Sequence, residues 1–326
     1  MNPRSTMKLM TLALVAAVVA AVCASSAAAK PRGFNGKIVT NSDNRVTGHE
    51  EVYTVDPDGT NETLISSDDA EVGQWSPDGS MFALFSNVGE TLHNPDTGIG
   101  INYGLPDNRY PGLHLYCGVW SPNGQRLACE GFSDDNPAAT GVYTLRASDG
   151  GDLQQVTSEP NGDDAPADYS PNGKQLLITK LSFDPFSYGL YTVRTDGTGL
   201  RRILPDGINF RFGAGSWSPQ GNEIVFSQRP DDYHSSIWVV HSDGSGLRQL
   251  PIAGPCGGLN ADPTAYGCFD PIWSPDGQKI VFGRNIDDAQ RDLYTVNADG
   301  SGLFQVTHTP NVDEFNGDWG THPLTP

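Results

Sequence analysis

Four side chains at fixed distances from a recurring aromatic residue offer the most chemistry in this sequence. Asp168 and Asp318 stand one residue before Tyr169 and Trp319; Asp270 and Asn316 stand three residues before Trp273 and Trp319. In an extended strand, odd offsets point away from the face that carries the aromatic. Oxygen ligands from several neighbouring strands could then converge on a central channel and hold a hard cation such as Ca²⁺. A structural calcium is the one cofactor this suggests. The plainer expectation is that the four bond backbone amides at strand starts or hold a few waters. Neither reading makes them catalytic.

Catalytic signatures are missing. There is no Gly-x-Ser-x-Gly elbow, no phosphate-binding Gly loop and no His-Glu-x-x-His helix. The seven histidines (His49, His93, His114, His234, His241, His308 and His322) are scattered over connectors and strand ends. No catalytic residue and no metal-ligand set is assigned. The Asp-Gly pairs at Asp58, Asp149, Asp196, Asp243 and Asp299 lack the spaced carboxylates of a calcium loop, and read as turns.

The chain opens with a targeting pattern. Arg4 and Lys8 precede an apolar run from Leu9 to Val22, and Ala27-Ala28-Ala29 supplies the small residues of a cleavage site, placed after Ala29. Residues 1–29 are therefore expected to be a Sec-type signal peptide, and 30–326 a single secreted domain, periplasmic or extracellular. A lipid-anchored Cys23 is the alternative, disfavoured by the bulky Val22 before it. Losing Arg4 and Lys8 turns 20 Lys+Arg into 18 against 39 Asp+Glu, a net charge of −21. Such a surface repels phosphate backbones and anionic lipid, so neither nucleic acid binding nor membrane insertion is expected.

Four cysteines remain, an even number in an exported chain, which favours disulfides. If Ser121-Pro122-Asn123-Gly124 forms a turn with Ser121 facing Gln125, four steps outward bring Cys117 opposite Cys129. Cys256 and Cys268 would then staple a glycine-rich insertion.

The positions of these groups depend on a repeat. Trp75-Ser-Pro-Asp-Gly, Trp120-Ser-Pro-Asn-Gly, Tyr169-Ser-Pro-Asn-Gly, Trp217-Ser-Pro-Gln-Gly and Trp273-Ser-Pro-Asp-Gly recur, followed by a truncated Trp319-Gly320. A period near 45–50 residues means one four-stranded unit per repeat, stacked radially. Each unit reads as an aromatic-ended strand, a Ser-Pro turn, an apolar strand such as Lys279–Phe282, a Leu-Tyr-Thr-Val strand, an Asp-Gly turn and a Gln-Val-Thr strand. The stretch Thr91–Leu115 lacks a clean third strand and reads as a degenerate blade. The first copy starts at a second strand and the last ends after a first strand. Joining the termini therefore closes an all-β six-bladed β-propeller with no exposed sheet edge. Gly73, Gly118, Ala167, Gly215, Pro271 and Gly317 stand two residues before the aromatics, small enough for crowded innermost strands.

These motifs resemble the TolB-type (WD40-like) propeller repeat, over roughly residues 36 to 320. The resemblance implies the fold, and a propeller without the α/β domain that precedes it in TolB, a periplasmic protein. It implies little about activity, since this propeller serves many roles. Pectate-degrading lyases with a similar propeller gather metal-binding histidines at its mouth, and no matching constellation is apparent here.

The expected function is a non-catalytic binding or scaffold module for a protein, peptide or glycan ligand, acting as a monomer. Candidate contact loops are Thr91–Leu115, Asp231–Ser236 and Cys256–Cys268. The alternative is a secreted polysaccharide lyase or hydrolase with its site in the channel. Three or more His, Arg or Tyr converging with carboxylates at the mouth would favour the enzyme.

Overall fold

The computed structural model describes residues 33–67, 70–86, 89–98, 100–102, 110–210, 215–229, 235–254, 256, 267–287 and 290–324; within these, the side chains of 86, 89–91, 100–102, 286–287 and 316 are not described. The leader, Cys23, segment 231–234 and the interior of the Cys256–Cys268 insertion lie outside the described residues. Twenty-four strands follow in order: β1 (Ile38–Asn44), β2 (His49–Val55), β3 (Thr63–Ser66), β4 (Glu71–Trp75), β5 (Phe82–Ser86), β6 (Gly89–His93), β7 (Gly100–Asn102), β8 (His114–Trp120), β9 (Arg126–Phe132), β10 (Gly141–Arg146), β11 (Gln154–Gln155), β12 (Gly162–Tyr169), β13 (Gln175–Phe183), β14 (Phe186–Arg194), β15 (Arg201–Arg202), β16 (Ser216–Trp217), β17 (Glu223–Gln228), β18 (Ser236–His241), β19 (Arg248–Gln249), β20 (Cys268–Trp273), β21 (Lys279–Asp287), β22 (Gln290–Asn297), β23 (Phe304–Gln305) and β24 (Val312–Trp319). They form six four-stranded sheets.

The ring closes as the repeat requires. β24 pairs with β1, with Trp319 opposite Ile38, so the first blade has the order β24-β1-β2-β3. The tail continues the seam: Lys37 N donates to His322 O at 3.0 Å, and Gly36 N to Gly320 O at 3.0 Å. First strands β24, β4, β8, β12, β16 and β20 each contact the next in turn, which makes them the inner wall. Thr91–Leu115 is a correction. The second blade does have a third strand, β6, which begins two residues before Thr91 and buries Leu92. With one buried leucine and no Tyr-Thr-Val run, it carries almost no apolar alternation to betray it.

The Ser-Pro segments are serine-capped hairpins. In each, the serine N–H bonds the carbonyl five residues on, as in Ser76 N to Met81 O at 2.7 Å, and the glycine N–H returns to the serine carbonyl. In four of the five the buried hydroxyl donates to the Asp or Asn two residues on (Ser76 to Asp78, 2.6 Å; Ser274 to Asp276, 2.7 Å), while Ser218 bonds Asn222; all accept from the amide five on (Met81 N, 3.0 Å; Lys279 N, 2.9 Å). The glycines take φ near +70°, open to glycine at no steric cost.

This geometry corrects the expected register at the first disulfide. Ser121 faces Arg126, not Gln125, and Trp120 faces Leu127. A β-bulge between Cys117 and Val119 then absorbs one residue and restores Cys117 to a position opposite Cys129. The disulfide forms across that pair, with Cα atoms 3.9 Å apart; Cys256 and Cys268 are likewise joined. Register shifts before the aromatic recur in β4, β12, β20 and β24. The small residues there are required by packing: a Cβ on Gly73 would lie 2.8 Å from Gly118 Cα. Apolar clusters fill the seams between blades, for example Trp217, Ile224 and Phe226 against Leu177 and Leu190.

Candidate functional site

The strand directions give the propeller two different ends. First and third strands run toward a turn face, built of the Ser-Pro and Asp-Gly hairpins. Second strands run toward a loop face, where the second-to-third hairpins and the connections between blades lie.

At the turn end, the residue before the aromatic reaches across to the next blade in four of the six blades. Asp318 Oδ2 accepts from Trp75 N at 2.7 Å, and Asp168 Oδ2 from Trp217 N at 2.7 Å. Gln74 Oε1 accepts from Trp120 N and Ser216 Oγ from Trp273 N, both at 3.3 Å. Val119 and Ile272 hold the same position in the other two blades and have no acceptor to offer. Four of six inter-blade seams thus carry a side-chain clamp on the backbone amide of the next blade's aromatic. The carboxylate versions are charge-assisted, each contributing about 1.5–3 kcal/mol.

Between these clamps lies a cavity of about 30 Å³, lined by Trp75, Trp120, Tyr169, Trp319, Asp168 and Asp318 among others. At about 10–15 Å³ per water it has room for roughly two waters. His322 sits over this end, its ring stacked 5.0 Å from Trp75 and its Nδ1 2.7 Å from Gly79 O.

Loop-end groups are of another kind. Burial raises Glu314 to about 9, with Asp292 adding repulsion. Glu130 of β9 and Asp163 of β12 meet across a seam: burial and then the Asp163 charge push Glu130 up to about 8, and burial raises Asp163. Beside them, Lys180 Nζ bridges Asp164 at 2.7 Å and Glu159 at 3.1 Å. Aromatic surface accompanies these groups. His114 and Tyr116 stack on Phe132 at 4.9 and 6.1 Å, and Tyr116 is 54% exposed. Phe183 and Phe186, at the tip of the β13–β14 hairpin, are 63% and 76% exposed.

No family model matches the chain, and no curated protein matches it. Solved structures do match. TolB from Acinetobacter baumannii superposes with a TM-score of 0.68 at 18% identity, over 89% of this chain and 67% of that one. A putative TolB from Agrobacterium tumefaciens gives 0.59 at 18% identity, over 88% and 99%. An oligogalacturonate lyase in complex with manganese gives 0.53 at 13% identity, over 80% and 72%. The fold is the TolB-type six-bladed propeller.

Within this TolB-type propeller, two of the four carboxylate or carboxamide candidates come together. Asp168 and Asp318 line the same cavity, each with an oxygen on an amide. Asp270 is not part of that lining; it occupies the bulge of β20 at φ +52°. Asn316 lies in β24, but its side chain is outside the described residues. Among the described residues no three His, Cys, Asp or Glu side chains group as a metal site. Gln74 and Ser216 escaped sequence reasoning, although lining up the residue before every aromatic would have found them. Glu130 and Asp163 had no such signal, because their meeting depends on two blades and no repeat position.

Proposed function

We propose that this TolB-type propeller is a secreted, non-catalytic module that binds a protein, peptide or glycan through its loop face. The observation behind this reading is the contrast between its ends. The axial cavity at the turn end is about 30 Å³ and Phe34 is the exposed aromatic near it, whereas Tyr116, Phe183 and Phe186 expose aromatic surface at the other end. Exposed aromatics on a rigid frame are the usual anchors of recognition surfaces. Two disulfides fit export into an oxidising compartment. The oligogalacturonate lyase shares the fold, and a lyase or hydrolase reading draws on that likeness alone.

The test is retention of partners from the producing cell's own culture supernatant and envelope fraction on immobilised mature protein. Wild type would be compared with a loop-face variant (Tyr116→Ser, Phe183→Ser, Phe186→Ser) and a turn-face variant (Leu324→Ser). A partner retained by wild type and the turn-face variant but lost from the loop-face variant supports the reading. A partner lost only from the turn-face variant, or turnover of polysaccharide by the wild type, would sink it.

A further inference from the structure

Two neighbouring carboxylate pairs in the seam between the third and fourth blades are treated in opposite ways. Asp164 and Glu159 hold Lys180 between them, so their charge is answered within the chain. Glu130 and Asp163 interact with each other, and among the described residues no basic side chain acts on either. Asp163 Oδ1 is buried with no hydrogen-bond partner of fixed geometry. Burial and their mutual repulsion favour keeping a proton on this pair when no cation is near.

What surrounds this second pair is aromatic and open. Tyr116 pairs directly with Glu130 across β8 and β9, so the two side chains share one face. His114 pairs with Phe132 on the same face, and Phe132 stacks on both His114 and Tyr116. Asp134 adds a third carboxylate at the rim, 3.7 Å from His114 Nε2. Flat π-faces beside paired carboxylates suit a planar cation. The rings attract it, and the two carboxyls offer acceptors to its forked N–H groups. A point-charge ammonium would use the carboxylates but gain less from the stack.

We propose that this aromatic and acidic surface is a docking site for an arginine side chain of a partner polypeptide, its guanidinium stacking on Tyr116 and Phe132 and bonding Glu130 and Asp163. The inference rests on the loop-face reading above and names its ligand chemistry. A net charge of −21 on the mature chain steers such a partner inward. Docking displaces the pair's proton, so binding is coupled to proton release, and Lys180 shows within the same seam how a cation is accommodated.

The probe is the blocked tripeptide acetyl-Gly-Arg-Gly-amide, titrated into the mature protein by calorimetry and by NMR of the Tyr116 ring. Its partner is the citrulline analogue, equal in shape and uncharged. The expected result is saturable binding of the arginine peptide, about tenfold or more weaker binding of the citrulline one, and release of a proton at pH 7. Glu130→Gln, close to the shape of a protonated Glu, should weaken binding about tenfold and abolish the release. Tyr116→Phe should leave binding within about threefold, and Tyr116→Ala should lower it further. Equal binding of both peptides, or affinity unchanged in Glu130→Gln and Asp163→Asn, would overturn the proposal. A loop-face partner whose retention survives Glu130→Gln would overturn it too, while leaving the loop-face reading in place.

Discussion

The two ends of this propeller use the same residue type for opposite purposes. On the turn face, Asp58, Asp196, Asp243 and Asp299 each accept from the hydroxyl and amide two residues on, as Asp196 does from Thr198 at 2.7 and 2.9 Å. Those side-chain hydrogen bonds hold the four carboxyls below their ordinary range. On the loop face, burial raises Glu130, Asp163, Asp292 and Glu314. Turn carboxylates are ionised parts of the scaffold, their charge met by local donors. Asp292 is met by the Gln290 and Gln305 amides, each at 2.7 Å, but Asp163 Oδ1 and both Glu314 oxygens are short of donors, which is a cost in a structural part and an opportunity at a binding surface. Stability and recognition are thus divided between opposite ends of one set of strands.

If that division is right, the largest stability losses belong to the turn end. Trp319 is 2% exposed, and its Nε1 bonds Gly36 O at 2.9 Å where the ring closes. Trp319→Ala should cost about 3–5 kcal/mol and lower the melting temperature by about 10 °C. A calorimetric shift of only a degree or two would mean that closure contributes little. Asp168→Ala, which strands the amide of Trp217, should cost about 1–3 kcal/mol. Asp168→Asn keeps an acceptor and should cost less, so equal losses in urea melts would argue that packing, not the clamp, is what matters.

How far the sequence carried the reading follows the same division. The turn end is repetitive, and its chemistry is local: Ser76, Pro77, Asp78 and Gly79 satisfy one another within a single hairpin. Such units can be counted and stacked without knowing what they touch, so the blade number, the closing strand and both disulfides were legible. The bulges were not. One extra residue at Gly118 changes no residue type, yet it moved the turn register by one and then cancelled the error at Cys117. The same bulges break the alternation by which Asp270 and Asp168 were expected to share a face. The loop end was least legible, because the meeting of Glu130 with Asp163 follows from how two blades pack.

Glu314 sharpens the comparison through pH. Its residue is 1% exposed, and neither carboxyl oxygen makes a hydrogen bond of good geometry. With a folded pKa of about 9 against an ordinary 4.5, the folded protein keeps a proton that the unfolded chain gives up above pH 4.5. The stability this group contributes is whole below pH 4.5 and drains away as pH climbs toward 9. Glu314→Gln removes the titration. Its stability should match wild type near pH 4 and exceed it increasingly to pH 9, by about 1.4 kcal/mol for each pH unit above 4.5, so that several kcal/mol separate the two at pH 8. A gap that stays constant across that range would show that Glu314 is ionised in the fold, and that the loop end is better supplied with donors than argued.

The smallest effect on stability is expected where the side chains are most exposed. Phe183 and Phe186 project from the tip of the β13–β14 hairpin, far from the ring closure and outside every seam cluster described. Replacing both with Ser removes apolar surface that folding never buried, so the melting temperature should move by less than the equivalent of about 0.5 kcal/mol. Two large aromatics held in water at one tip gain nothing for the fold and are available for contact with another molecule. A double variant that loses a kcal/mol or more would mean that the hairpin tip folds back onto the protein in solution. In that case the loop end would be part of the scaffold too, and the contrast between the two ends would fail at its most exposed point.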